Sequence, residues 1–178
     1  MLKGMIINMD NNEQKSSMNT EEEINISIEV LEAKHEDMLL KIFKESRQDL
    51  TWISGITEEQ KESIIAQQFM MEQQQLMEMY PEAQLNIITM HGKPIGRLYI
   101  YYGKTVDRIL EIGLLEEYRG RGIGRKIVTT VIENAVEKKK TVSLQVAWFN
   151  QGAYAFYEKL GFKVVENKGI AYEMKCIP

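Results

Sequence analysis

The chain has 178 residues, 44% apolar and 27% charged, with 22 Lys and Arg against 26 Asp and Glu for a net charge of −4. That length suits one domain with a single core, and so ordinary a composition excludes disorder as the default. The acidic balance argues against nucleic acid or an anionic membrane as main partner, and a single cysteine, Cys176, excludes an internal disulfide and a cysteine-rich zinc site.

No run approaches the roughly 20 apolar residues of a bilayer span, and no signal-type apolar region opens the chain, which predicts a cytoplasmic protein. His35 and His91 stand far apart without ligand spacing, so they read as surface or loop residues and no metal is expected. Residues 1–23 are polar and Asn-rich without a period. They predict a mobile tail ahead of one domain over residues 24–178.

Residues 24–30 alternate apolar and polar as a half-buried strand does. A helix over 33–46 places Met38, Leu39, Ile42 and Phe43 on one stripe. A second begins at Thr57, where Thr57-Glu58-Glu59-Gln60 has the form of a capping box, and continues to Met79 before Pro81 stops it. Its many Gln and Met residues read as a Met-padded core face rather than an adaptable binding surface. Strand patterns over 84–90 and 95–102 flank the turn residues His91-Gly92-Lys93-Pro94, and a third over 106–115 ends in an apolar run. A helix over 122–139 aligns Ile123, Ile127, Val128, Val131, Ile132, Ala135 and Val136. A strand over 142–147, a short helix over 151–160 and two closing strands complete an order that predicts a mixed α/β sheet covered on both faces. Cys176 falls in the last strand, as a small buried or edge residue rather than a nucleophile.

The chemistry concentrates in Glu117-Tyr118-Arg119-Gly120-Arg121-Gly122-Ile123-Gly124-Arg125-Lys126, between a buried strand and an amphipathic helix. Glycines let the backbone turn tightly, and the helix start offers unpaired N–H groups and partial positive charge, a cradle for a pyrophosphate. A nucleotide P-loop would need Gly-Lys-Ser/Thr at the helix start. A dinucleotide fingerprint would need a third glycine where Arg125 stands and a carboxylate after the next strand. Neither is present.

What fits is R-x-x-G-x-G, with Arg119, Gly122 and Gly124, which resembles the acyl-CoA signature of the GNAT N-acyltransferase superfamily. Residues 150–162, NQGAYAFYEKLGF, resemble a second segment of the same superfamily, N-x-x-A-x-x-F-Y-x-x-x-G-F, one helix and one strand later. The likeness extends over residues 87–174, with Asp49-Leu50-Thr51-Trp52 and Gly96-Arg97-Leu98-Tyr99 similar to a bacterial, RimI-like subgroup of unassigned substrate. It implies the GNAT fold: a mixed, mostly antiparallel six- to seven-stranded sheet with a central splayed parallel pair, flanked by about four helices.

The resemblance further implies acetyl-CoA as co-substrate, with its pantetheine in the splay. The backbone of Leu114 and Leu115 would pair with that arm, and an N–H near Leu114 would hold the acetyl carbonyl. Arg119, Arg121, Gly122, Ile123, Gly124 and Arg125 would hold the pyrophosphate, Asn150 the pantetheine or its loop, and Tyr157 would be the general acid. Asn150 equally suits a helix cap, and packing beside Phe156 is the competing reading for Tyr157.

The amine must lose a proton before attack, to a carboxylate, to a water chain or by release before binding, and the strand pattern offers one candidate base. Glu111 lies within an apolar run and alternation puts it on one face with Gly113, whose missing side chain leaves space for a substrate. Partial desolvation would raise its pKa usefully, and an ion pair with a neighbouring element is the competing reading. Asp107 and Glu117 are weaker alternatives. Trp52, residues 49–55, and Tyr99, Tyr101 and Tyr102 could shape the acceptor pocket, with ordinary packing the plainer reading.

Two functions of different class follow: transfer of the acetyl group to a primary amine by direct attack through a tetrahedral intermediate, or a non-catalytic acyl-CoA-binding module. The acceptor is an amine of unspecified identity, with neither nucleic acid nor membrane as partner. Homodimers are common in look-alike chains.

Overall fold

The computed structural model describes residues 5–7, 25–46 and 55–177. Alternation in the first long strand pattern produces β2 (Ile26–Val30), with Ile26 and Ile28 buried. A 3-10 turn, Ala33–His35, leads into α1 (Glu36–Ser46), which buries Leu39, Ile42 and Phe43. His35 departs from the surface or loop placement its isolation suggested. It is only 6% exposed, because its Nδ1 accepts the Glu32 N–H at 3.1 Å and folds the ring into the turn.

The capping box forms at the start of α2 (Glu58–Met79): Thr57 Oγ1 accepts from the Gln60 N–H at 3.2 Å and Gln60 Oε1 from the Thr57 N–H at 2.9 Å. The Met-padded core face does not. Ile65 and Phe69 are the buried residues of α2, while Met70, Met71 and Met79 are exposed. The stripe reaching the sheet is narrow, with Ile65 and Phe69 near the middle of the helix, so the methionines fall beside it.

Next come β3 (Gln84–Met90), β4 (Lys93–Tyr102) and β5 (Val106–Leu114), then α3 (Ile123–Glu137), β6 (Thr141–Ala147), α4 (Gln151–Glu158), β7 (Lys163–Asn167) and β8 (Ala171–Cys176). The sheet order is β1-β2-β3-β4-β5-β6-β8-β7, every pairing antiparallel except β5 with β6. Its eighth strand, β1 (Met5–Ile7), pairs with β2 in a stretch whose sequence carries no period. One face packs Ile87 against Leu39 and Phe43 of α1 and Ile65 and Phe69 of α2. The other packs Ile100, Leu144, Val146 and Met174 with Ile127, Val128 and Val131 of α3 and Tyr157 of α4. Cys176 is half-buried in β8. No described helix is long and apolar enough to cross a membrane.

Two irregularities position the site. The parallel pair holds for three residue pairs, Val106↔Thr141, Asp107↔Val142 and Arg108↔Ser143, and ends there, so the two strands part toward their C-terminal ends. Across the other edge of β5, Tyr99 pairs with Glu111 and Ile100 with Ile109, which makes Leu110 the extra residue of a β-bulge. The bulge resets the alternation: Arg108 and Glu111, three positions apart, share one face, since Arg108 opposes Tyr101 and Glu111 opposes Tyr99.

Candidate active site

Beyond β5 the chain makes a 3-10 turn, Glu116–Tyr118, and reaches α3 through Gly120 at φ 71° and Gly122 at φ 78°. A Cβ built on either glycine meets nothing within 4 Å, so what these positions require is left-handed backbone rather than room. Gly122 is the N-cap, and its carbonyl takes the Lys126 N–H at 3.0 Å. The N–H groups of Ile123, Gly124 and Arg125 belong to the first turn, which has no carbonyl of its own to meet, and no acidic residue lies there. That arrangement suits an anion.

The arginines divide. Arg119 donates through Nε to the Leu114 carbonyl at 2.9 Å, with Nη2 3.8 Å from Glu45 Oε2, so its guanidinium faces protein. Arg121 lies over the Tyr118 ring at 5.6 Å, and Arg125 stands on the first turn of α3.

Leu114 and Leu115 differ in what their main chains have left to offer. The Leu115 N–H donates to Ile95 O at 2.9 Å and its carbonyl accepts from the Tyr118 N–H at 2.9 Å. Its N–H is therefore already taken within the fold, while its carbonyl keeps one lone pair for a further donor. Alternation turns the Leu114 N–H away from β4, toward the gap beside β6. Asn150 caps α4, its Oδ1 accepting the Ala153 N–H at 3.0 Å. Tyr157 is 8% exposed, edge-on to Phe156 at 5.0 Å and to Phe162 at 5.6 Å, and burial pushes its hydroxyl up to about 12.

On the α1–α2 face, Glu111 forms an ion pair with Arg97 of β4. Arg97 is 1% exposed, lies 5.9 Å from the Phe69 ring and 5.6 Å from that of Tyr99, and its Nε and Nη1 have no partner among the described residues. Burial raises the Glu111 pKa above the usual carboxylate value. Arg97 opposes that shift, the Glu72 charge adds to it, and a hydrogen bond with Gln73 opposes it. The space expected opposite Gly113 is filled: a Cβ there would lie 2.8 Å from Ile42 Cγ2, so the glycine serves the approach of α1 rather than a substrate. Room exists farther along, in a hollow of about 380 Å³ between the second half of α2 and the parting strands, lined among others by Glu72, Gln73, Tyr80, Arg108, Glu111 and Gln145.

The weaker candidates separate cleanly. Asp107 is 1% exposed and bound by Lys140 at 2.9 Å, a structural pair, while Glu117 lies exposed on the 3-10 turn. Tyr99 is fully buried, with no hydrogen-bond partner for its hydroxyl among the described residues, Tyr101 packs on Tyr80 at 5.5 Å and Tyr102 is exposed. Trp52 and residues 49–54 lie outside the described residues. Sequence reasoning did not find Glu72, Gln73, Tyr80, Arg108 or Gln145, whose convergence depends on the bulge and on where α2 crosses the sheet.

Residues 41–162 match the model of the Acetyltransferase (GNAT) family. The chain is 33% identical over 88 residues to an uncharacterized N-acetyltransferase of Methanocaldococcus jannaschii, covering 45% of this chain and 39% of the relative. It is 38% identical over 86 residues to N-alpha-acetyltransferase 50 of Danio rerio, covering 47% and 45%. The matched region thus spans less than half the length of either relative. The fold is similar to that of the PaiA N-acetyltransferase of Thermoplasma acidophilum, solved in complex with coenzyme A, at TM-score 0.63 and 21% identity over 86% of this chain and 99% of that one. With the family match covering more than half of its length, the chain belongs to the acetyltransferase (GNAT) family.

Proposed function

We propose that the protein transfers the acetyl group of acetyl-CoA to a primary amine by direct attack. The observation that carries this reading is the parting of β5 from β6 after three residue pairs, beside a helix start whose first-turn N–H groups have no carbonyl partner. The residues fit the group: Gly120 and Gly122 hold left-handed backbone with open space above it, as a diphosphate on the amides of residues 122–125 requires. Arg121 and Arg125 add positive potential there. Arg119 acts indirectly, by holding the Leu114 carbonyl and with it the end of β5.

In this reading the Leu114 N–H, turned to the gap, steadies the acetyl oxygen as it gains charge, an effect worth about 3 kcal/mol for one such donor. Tyr157, protonated up to about pH 12, donates its proton to the departing thiolate. The amine enters from the hollow beside Glu111, whose half-buried carboxylate accepts the ammonium proton before or during attack. No Cys–His or Ser–His pair enters this scheme.

Titration calorimetry with CoA and thiol release from acetyl-CoA with an amine panel test the proposal. Binding together with turnover that falls in Tyr157→Phe and Glu111→Gln is expected. Tight CoA binding with no turnover of any amine would make the protein a binding module. Absence of heat with millimolar CoA and acetyl-CoA would overturn both.

A further inference from the structure

The 380 Å³ hollow beside Glu111 adjoins a second one of about 460 Å³, and the two share Tyr80, Arg108 and Gln145 as a common wall. Both open on one side of the sheet, because Tyr99↔Glu111, Tyr101↔Arg108, Arg108↔Ser143, Ser143↔Lys175 and Gln145↔Glu173 are direct cross-strand partners. The hollows differ in charge. The inner one is lined by the carboxylates of Glu72 and Glu111, and its one lining cation among the described residues, Arg108, is committed to Glu173 at 2.5 and 3.0 Å. The outer one is lined by Arg108, Lys168 and Lys175 against Glu166 and Glu173.

The excess positive charge of the outer hollow centres on Lys175. Glu173 already accepts from Arg108, from Gln145 at 3.0 Å and from Lys168 at 3.2 Å, and these contacts hold its carboxyl down at about 2 despite the cost of burial. Lys168 is further shared with Glu166 at 3.8 Å. Lys175 has no ion pair among the described residues, and its direct partner across β7 is a second lysine, Lys163. Like charges in direct opposition repel at about 5 Å between Cβ atoms. An anion between them would relieve that repulsion, much as an ammonium beside Glu111 would relieve its repulsion by Glu72.

We propose that the outer hollow is an anion-recognising subsite for the acceptor, and that the acceptor is a peptide chain with a free N-terminal amine and a carboxylate at its third or fourth residue. The spacing sets that position. From β5 to β8 is two strand spacings of about 4.8 Å, and Glu111 lies one two-residue step beyond the row of Arg108, Ser143 and Lys175. Together these give a diagonal of about 12 Å, or three to four extended residues. The inference rests on the acetyl-transfer reading, which assigns the amine to the Glu111 end.

Tetrapeptide amides with glutamate, alanine or lysine at the third and fourth positions provide the test. Each is titrated into the CoA-saturated protein and assayed for turnover with acetyl-CoA. A free tetrapeptide of alanine tells a terminal carboxylate from a side-chain one. Glutamate at position three or four is expected to improve Kd and kcat/KM over lysine by about tenfold at low salt, with the gap narrowing as salt rises. Lys175→Glu, at a half-exposed position, should reverse the order, and Lys175→Ala should level it. Equal use of all the peptides, or a preference unchanged in Lys175→Glu at unaltered Tm, would overturn the subsite. So would turnover of simple monoamines with no binding of any peptide, which would leave the acetyl-transfer reading intact. Failure to bind CoA at all would remove that reading first.

Discussion

Arg97 and Glu111, on adjacent strands β4 and β5, form an ion pair in which the arginine is 1% exposed and has no other hydrogen-bond partner among the described residues. The pair is both structural support and part of the proposed chemistry. Glu111→Ala would strand a buried guanidinium and should cost about 3–5 kcal/mol of stability, read as a fall in urea midpoint. Glu111→Gln keeps an oxygen for Arg97 and should cost much less while removing the proton acceptor.

The same carboxylate sets a pH dependence. Burial raises its folded-state pKa above the ordinary value, so the folded protein holds this proton more tightly than the unfolded chain. Its contribution favours folding below the unfolded pKa and declines as pH rises through the folded one. The acid limb of kcat/KM should lie above the usual carboxylate range, since the base works only when ionised, and should vanish in Glu111→Gln. An unchanged limb in that variant would remove Glu111 as the base.

Tyr157 is held at about 12 by burial alone, so it keeps its proton through the working range. Tyr157→Phe preserves the ring contacts with Phe156 and Phe162 and should leave Tm nearly unchanged. Its kcat should fall by about 10²- to 10³-fold with little change in CoA affinity. A fall of less than about threefold would assign the hydroxyl to packing instead.

The two glycines that open α3 should respond in opposite ways. Gly122→Ala forces a Cβ onto backbone at φ 78° and should cost about 1–2 kcal/mol although nothing crowds it. Gly124→Ala meets Phe156 Cζ at 3.8 Å, an ordinary contact, within a helix that gains from alanine. Its Tm should hold or rise. Thermal melts of both variants check the contrast.

Much of this was legible before any coordinates. Hydrophobic period located α1 to α4 and most of the eight described strands, because nearly every element buries one face and its sequence records which, although β7 is exposed throughout. The Gly122 turn and the segment around Tyr157 were legible for a related reason: local backbone demands are written in local residues. Convergence across the sheet was not. Leu110 is an unremarkable strand residue, yet as a bulge it brings Arg108 and Glu111 to one face, and strict alternation would have separated them. Gly113 misled for the opposite reason, since its empty volume belongs to Ile42, a neighbour 71 positions away that no period reveals.

A last relationship ties α1 to the anion turn. Glu45 Oε2 accepts the Glu116 N–H at 2.6 Å and stands 3.8 Å from Arg119 Nη2, while Arg119 Nε holds the Leu114 carbonyl at 2.9 Å. One carboxylate thereby braces both sides of the bend between β5 and α3, and its loss should loosen the backbone whose amides face the diphosphate. Glu45→Ala is expected to weaken CoA binding by about three- to tenfold, the scale of one net hydrogen bond, while kcat at saturation stays within about twofold. Glu45→Gln retains the acceptor for Glu116 and should fall between the two. Calorimetry on the three proteins decides the matter, and equal CoA affinity in all of them would reduce Glu45 to a surface residue with no bearing on the turn.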